Sequence, residues 1–111
     1  MTQYTPAQLT AVTQLTTSAA TLYSVPSATV TTVKTVTIAN VTATDAQVTI
    51  YLVPNGGSAA TTNAVLGSVN VSANTTTIID TAWIIPASST IQAKASAGSA
   101  INVHISGIER A

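Results

Sequence analysis

A period of two limits what this chain can fold into more than any other feature. β-Branched and apolar side chains alternate with threonine, serine and alanine, and turn residues interrupt the pattern about every ten positions. Alternation of this kind places one set of side chains on each face of a strand, so it predicts an all-β chain. Val36, Ile38 and Asn40 share one face, and Thr35, Thr37 and Ala39 the other. Val48, Ile50 and Leu52 alternate in the same way with Thr49, Tyr51 and Val53. The polar residues 41–45 join these two strands.

Pro54, Asn55, Gly56 and Gly57 end the second strand, because proline cannot donate to a ladder and Asn-Gly-Gly permits positive φ. They open a loop that reaches Asn63 and is expected to be an exposed tip. Further strands are expected over 20–25, 30–40, 64–71, 75–85 with a bend near Asp80, 90–95 and 101–108. The links are 26–28, where Pro26 fixes φ, then 72–74, 86–89 and 96–99. With an N-terminal segment this makes roughly seven or eight short strands, the number expected of two packed antiparallel sheets. The predicted fold class is a single antiparallel β-sandwich, jelly-roll or immunoglobulin-like, with an N-terminal arm or short helix.

Residues 1–18 admit two readings. Thr5-Pro6 can cap a helix whose Leu9, Val12 and Leu15 recur at a spacing of three, whereas Thr10, Thr13, Thr16 and Thr17 are poor helix formers and favour an extended arm or edge strand. Either way the segment is expected to be separable from the sandwich over 19–111 and to serve as an anchor.

One break in phase falls in the third predicted strand. Val33 lies on the opposite parity from Val36 and Ile38, while Lys34 shares theirs. A regular strand would drive the Lys34 ammonium into the core at high cost, so a β-bulge, a rim position or a carboxylate partner is expected there, with a subunit-interface salt bridge as the functional alternative.

Composition decides what chemistry is open. Among 111 residues, 46% are hydrophobic and 5% charged, with Lys34, Lys94 and Arg110 balanced by Asp45, Asp80 and Glu109. Ordinary domains carry about a quarter charged residues. The length suits one domain. No basic stripe exists for nucleic acid and no cationic face for a lipid surface, so neither partner is expected. No apolar run is long enough to cross a bilayer as a helix, and residues 1–6 do not resemble a signal peptide. Cysteine is absent, which excludes disulfides and thiolate chemistry. A surface with so little charge promotes association.

Catalysis needs convergent acid, base, nucleophile or metal ligands. Here His104 is the one histidine and the carboxylates are scattered, so no catalytic residue, cofactor or metal is expected. His104 shares parity with Asn102 and Ser106 and should face away from a core holding Ile101, Val103 and Ile105. Gly56-Gly57 lacks the lysine and helix of a phosphate loop and reads as a turn. The sequons at Asn40, Asn70 and Asn74 arise by chance in a Thr- and Ser-rich chain. Tyr4, Tyr23, Tyr51 and Trp83 could stack on sugars, but Trp83 shares parity with Ile79 and Ile85, which points to core or interface packing. Thr-x-Thr pairs such as Thr35/Thr37 lack the fixed repeat of an ice-binding array. The residues expected at an interface are Lys34, Tyr51, Trp83 and His104, and those of an exposed contact loop are Asn55, Gly56, Gly57 and Asn63.

The segments Leu15-Thr16-Thr17-Ser18-Ala19-Ala20-Thr21-Leu22-Tyr23-Ser24-Val25-Pro26 and Val33-Lys34-Thr35-Val36-Thr37-Ile38-Ala39-Asn40 resemble a family of small tailed-bacteriophage virion proteins. So do Val48-Thr49-Ile50-Tyr51-Leu52-Val53-Pro54-Asn55-Gly56-Gly57-Ser58 and the ending Val103-His104-Ile105-Ser106-Gly107-Ile108-Glu109. Members are head-decoration, head-fibre or tail-associated structural proteins. The resemblance implies a β-sandwich subunit located in the virion after synthesis in the host cytoplasm. It also implies self-association, most often as a homotrimer, and contact with other virion proteins such as a major capsid protein. A tail-fibre or receptor-binding module that takes a host surface glycan is the alternative. The resemblance carries no binding residues over to this sequence.

Overall fold

Burial along the strands follows the alternation of residue type. The computed structural model describes residues 4–110, apart from the side chains of Tyr4 and Ala7. Eight strands lie among the described residues: β1 (Tyr4–Gln14), β2 (Ala20–Ser24), β3 (Val30–Asn40), β4 (Ala46–Val53), β5 (Ala64–Val71), β6 (Thr76–Ile85), β7 (Thr90–Ala95) and β8 (Ile101–Arg110). A single 3₁₀ turn, Thr61–Asn63, precedes β5.

Two four-stranded sheets form, ordered β1-β8-β3-β6 and β2-β7-β4-β5, with antiparallel neighbours throughout. Every consecutive pair of strands except β4 and β5 is split between the sheets. That order is a jelly roll, and it decides between the two sandwich types expected from the sequence. The core lies between the sheets, where Val33, Val36, Ile38, Val48, Ile50, Ile91, Ile101, Val103 and Ile105 are fully buried. Each such side chain stabilises the fold by about 1.5–3 kcal/mol relative to exposure.

The N-terminal segment takes the extended form, and the helix alternative is corrected. A helix would place Leu9, Val12 and Leu15 on one face. Instead Leu9 and Leu15 are buried while Val12 is 68% exposed. β1 pairs with β8 from Tyr4 opposite Arg110 to Gln14 opposite Asn102, with register shifts between Gln8 and Thr10 and between Thr10 and Thr13. Leu9 and Leu15 lie an even number of residues apart, so both can face inward along a strand while Val12 faces out, and the threonines suit the pleated surface. Tyr4–Gln14 and Leu15 thus share the sheet and the core of the sandwich; residues 1–3 lie outside the described residues.

The phase break at Lys34 is a bulge. From Val33 to Val36, β3 advances past Gly107 to Ile105 on β8 and past Trp83 to Ile79 on β6, so β3 carries one extra residue against β8 and β6 one extra against β3. Lys34 is exposed. The Thr81 hydroxyl donates to the Val33 carbonyl at 2.7 Å and satisfies a group beside the irregularity. The bend expected near Asp80 is this register shift, and β6 itself continues through it.

Loops gather at the two ends of the sandwich. At one end Asn74 N–H donates to Thr42 O (3.0 Å) and Val41 N–H to Ala100 O (2.9 Å). Asn40 organises that end from inside. Its Nδ2 donates to Thr44 O and Val71 O, both at 2.9 Å, and its Oδ1 accepts from Thr42 N–H (3.0 Å) and Thr42 Oγ1 (2.8 Å). A buried amide with both ends fully used replaces the apolar residue that its parity would otherwise require.

Candidate assembly surface

The bulge and the alternation of β8 bring Lys34 and His104 to the same place. His104 is half-buried on the outer side of β8, opposite Thr37 of β3, while Ile101, Val103 and Ile105 point inward. Lys34, His104 and Ser106 line a shallow depression with Pro6, Gln8 and Gly107, about 490 Å³ in volume. The depression sits on the outward face of the β1-β8-β3-β6 sheet. Around it that face is built from hydroxyls and amides: Thr35 lies opposite Ser106, and Ala39 opposite Asn102. Asp80 is exposed on β6, opposite Thr35.

Tyr51 and Trp83 lie elsewhere. Tyr51 has outward parity on β4, yet it is buried because the chain after β4 folds back toward it; Thr61 and Ala64 line a cavity with its ring. Trp83 is half-buried on the inner side of β6 and packs against the core beside Ile79. Tyr23 reaches across from β2. The structure therefore brings together two of the four residues expected at an interface, and Tyr23, Tyr51 and Trp83 do not form a shared stacking platform. The Tyr4 side chain lies outside the described residues.

The loop after β4 begins with a tight turn. Gly57 N–H donates to Pro54 O at 2.9 Å and Gly56 takes φ +81°, a conformation that costs a glycine little. Asn55, Gly56 and Gly57 are exposed. Asn63 is half-buried and works within the loop: its Oδ1 accepts from Ala60 N–H (3.1 Å) and its Nδ2 donates to Ser58 O (2.9 Å). The expected contact loop is thus exposed at its first turn and self-bonded at its far end. Of the sequon asparagines, Asn40 is buried and committed to the turn, whereas Asn70 and Asn74 are exposed.

Two features of the structure escape the periodicity of the sequence. The Tyr23 hydroxyl donates to the Glu109 carboxylate and receives the Thr31 hydroxyl at 3.0 Å, which ties β2 to β3 and β8 across the sandwich. Burial, with the Glu109 hydrogen bond second, pushes the Tyr23 phenol up to about 12, partly offset by the Thr31 bond. The second is a pair of exposed isoleucines on β6, Ile78 (66%) and Ile84 (70%). Each sits beside an inward isoleucine, Ile79 or Ile85, so one of each pair had to face out. Among the described residues, no cluster of three or more His, Cys, Asp or Glu side chains is placed to hold a metal ion.

A scan of protein-family models and a search of curated proteins find no match to this chain. Solved structures do match. A chain from the structure of infectious bursal disease virus, Gx strain, superposes with a TM-score of 0.55 at 16% identity over 98% of this chain. A chain from the crystal structure of the T13 particle of the same virus gives 0.55 at 15% identity, again over 98%. This chain spans about a third of each, 32% and 31%. At such identities the likeness is one of fold: an all-β jelly roll that also occurs in chains of an icosahedral virus.

Proposed function

We propose that this chain is a non-enzymatic structural subunit of a virion, and more narrowly a capsid decoration, cement or head-fibre protein of a tailed bacteriophage. The observation that carries the reading is the outward face of the β1-β8-β3-β6 sheet. It offers hydroxyls, amides, a shallow depression at Lys34 and His104, and exposed isoleucines, and no convergent acid–base set. Such a face suits contact with another protein surface. The jelly-roll fold shared with chains of an icosahedral virus supports the same reading, as does the sequence resemblance to phage virion proteins. The partners are further copies of the chain, in a homotrimer, and other virion proteins such as a major capsid protein. Any anchoring by residues 1–18 would act through the outward side of β1, with the strand in place in its sheet.

Light scattering at micromolar concentration tests the reading, together with imaging of the chain on particles. A mass that is a multiple of three protomers and a fixed position on the head are expected. A clean monomer that binds a glycan array would overturn it in favour of a receptor-binding module. Exposure of Asn55, Gly56 and Gly57 gives that second reading its contact surface.

A further inference from the structure

β6 is a free edge of its sheet, with β3 on one side and no described strand on the other. An edge strand offers unpaired N–H and C=O groups to any other strand unless it is short, distorted, or carries proline or lysine. The remaining edges are blunted in these ways. β1 contains Pro6 and two register shifts, β2 has 5 residues, and β5 has two register shifts with Ser68 at φ +51°. β6 runs for 10 residues without proline, lysine or arginine; its pairing with β3 takes one extra residue between Asp80 and Trp83, but its exposure alternates unbroken from Thr76 to Ile84.

The side chains of β6 are self-complementary about Thr81. Two copies related by a two-fold axis normal to the sheet pair antiparallel, and their faces stay matched only when the axis passes through a residue position. With the axis at Thr81, Ile78 lies opposite Ile84 of the second copy, Ile79 opposite Trp83, and Asp80 opposite Ala82. Apolar side chains meet on both faces, and neither carboxylate directly opposes the other. With the axis at Asp80, the two Asp80 carboxylates collide and Ile84 meets Thr76. With it at Ala82, Ile84 meets Asp80 and Ile78 meets Pro86. Cross-strand apolar pairs stabilise and directly opposed like charges destabilise, so the Thr81 register is selected over its neighbours.

We propose that β6 is a self-pairing edge, through which two copies of this chain join antiparallel about Thr81 and merge their sheets into one continuous sheet. The exposed Ile78 and Ile84 are the outer contacts of that seam, and the uncovered parts of Ile79 and Trp83 are its inner ones. The contact goes beyond the virion role and does not depend on it. A three-fold contact elsewhere would multiply all masses equally and leave the two-fold ratio intact.

The test uses the full chain. Sedimentation at micromolar concentration should give wild type twice the mass of an Ile78→Lys/Ile84→Lys variant, whose unfolding midpoint stays near wild type because both side chains are exposed. Equal masses would overturn the proposal. Since the chain has no cysteine, an equimolar mixture of Ile78→Cys and Ile84→Cys chains should oxidise to the mixed disulfide. It should do so several-fold faster than either variant alone, and faster than a control mixture of Val12→Cys and Val41→Cys, which are exposed elsewhere. Cross-linking no faster than the control would overturn the Thr81 register, and the proposal with it.

Discussion

Replacing Asn40 with alanine removes four hydrogen bonds made by one buried side chain. Two were donated to the Thr44 and Val71 carbonyls and two accepted from Thr42. The bond to Val71 O is buried, so its loss leaves an acceptor with reduced satisfaction where water has little access, at about 1–3 kcal/mol. The remaining bonds are more exposed and contribute about 0.5–1.5 kcal/mol each. Allowing for water at the partly exposed sites, the expected loss is about 3 kcal/mol. A domain of this size is stable by about 5–15 kcal/mol, so the effect is large. Urea denaturation followed by the fluorescence of Trp83, the single tryptophan, reads it directly when all variants are held at one protein concentration. Thr42→Val keeps the backbone bond and removes the hydroxyl, so about 1 kcal/mol is expected from it. Asn70→Ala, at an exposed position, should stay within about 0.5 kcal/mol of wild type. Asn40→Asp keeps the acceptor but sets a carboxylate against two carbonyls. Its deficit should shrink on acidification, as a protonated carboxyl regains one donor. An Asn40→Ala loss below about 1 kcal/mol would refute the claim that this amide organises the loop end.

Two further perturbations test the sheet geometry and the polar bridge. A Cβ on Gly107 would lie 2.1 Å from the Thr32 carbonyl oxygen and 3.1 Å from Leu9 Cδ1, so Gly107→Ala should cost about 3 kcal/mol or more, whereas Gly67→Ala and Gly98→Ala meet nothing within 4 Å. Equal urea midpoints for the three variants would contradict the close approach of β8 to β3. For Tyr23 the folded phenol titrates at about 12, against 10.0 for an ordinary tyrosine. Its neutral form is favoured by folding, so this contribution to stability is complete below about pH 10 and is lost as pH rises toward 12. Tyr23→Phe should therefore show a shallower fall in urea midpoint over that range, and ultraviolet titration of the variant should lack the phase near 12. Parallel curves for the two proteins would count against the bridge to Glu109.

Local periodicity carried much of the fold. The expected strands at 30–40, 64–71 and 90–95 coincide with β3, β5 and β7, and the others differ by one or two residues at their ends. The bulge at Lys34 was legible because burying an ammonium is costly and the phase break shows where the strand must yield. The N-terminal segment was ambiguous, since Leu9, Val12 and Leu15 at a spacing of three suit a helix while the threonines suit a strand, and pairing with β8 decides between them. Tyr51 defied its parity because a loop, not the opposite sheet, covers it. The candidate surface was half legible. Parity turned His104 outward, but nothing local to the chain sets it beside Lys34, which is 70 positions away in sequence.

An alternating chain of threonine, valine, isoleucine and alanine could be little other than a β-sandwich, because alternation assigns each strand two faces. Alternation is silent about neighbours. That β1 lies against β8, that Tyr23 meets Glu109 across the sandwich, and that β6 is left at an edge with Ile78 and Ile84 uncovered all depend on sheet order. Sheet order is set by long-range pairing and the closure of two sheets around one core, contacts that no local pattern encodes.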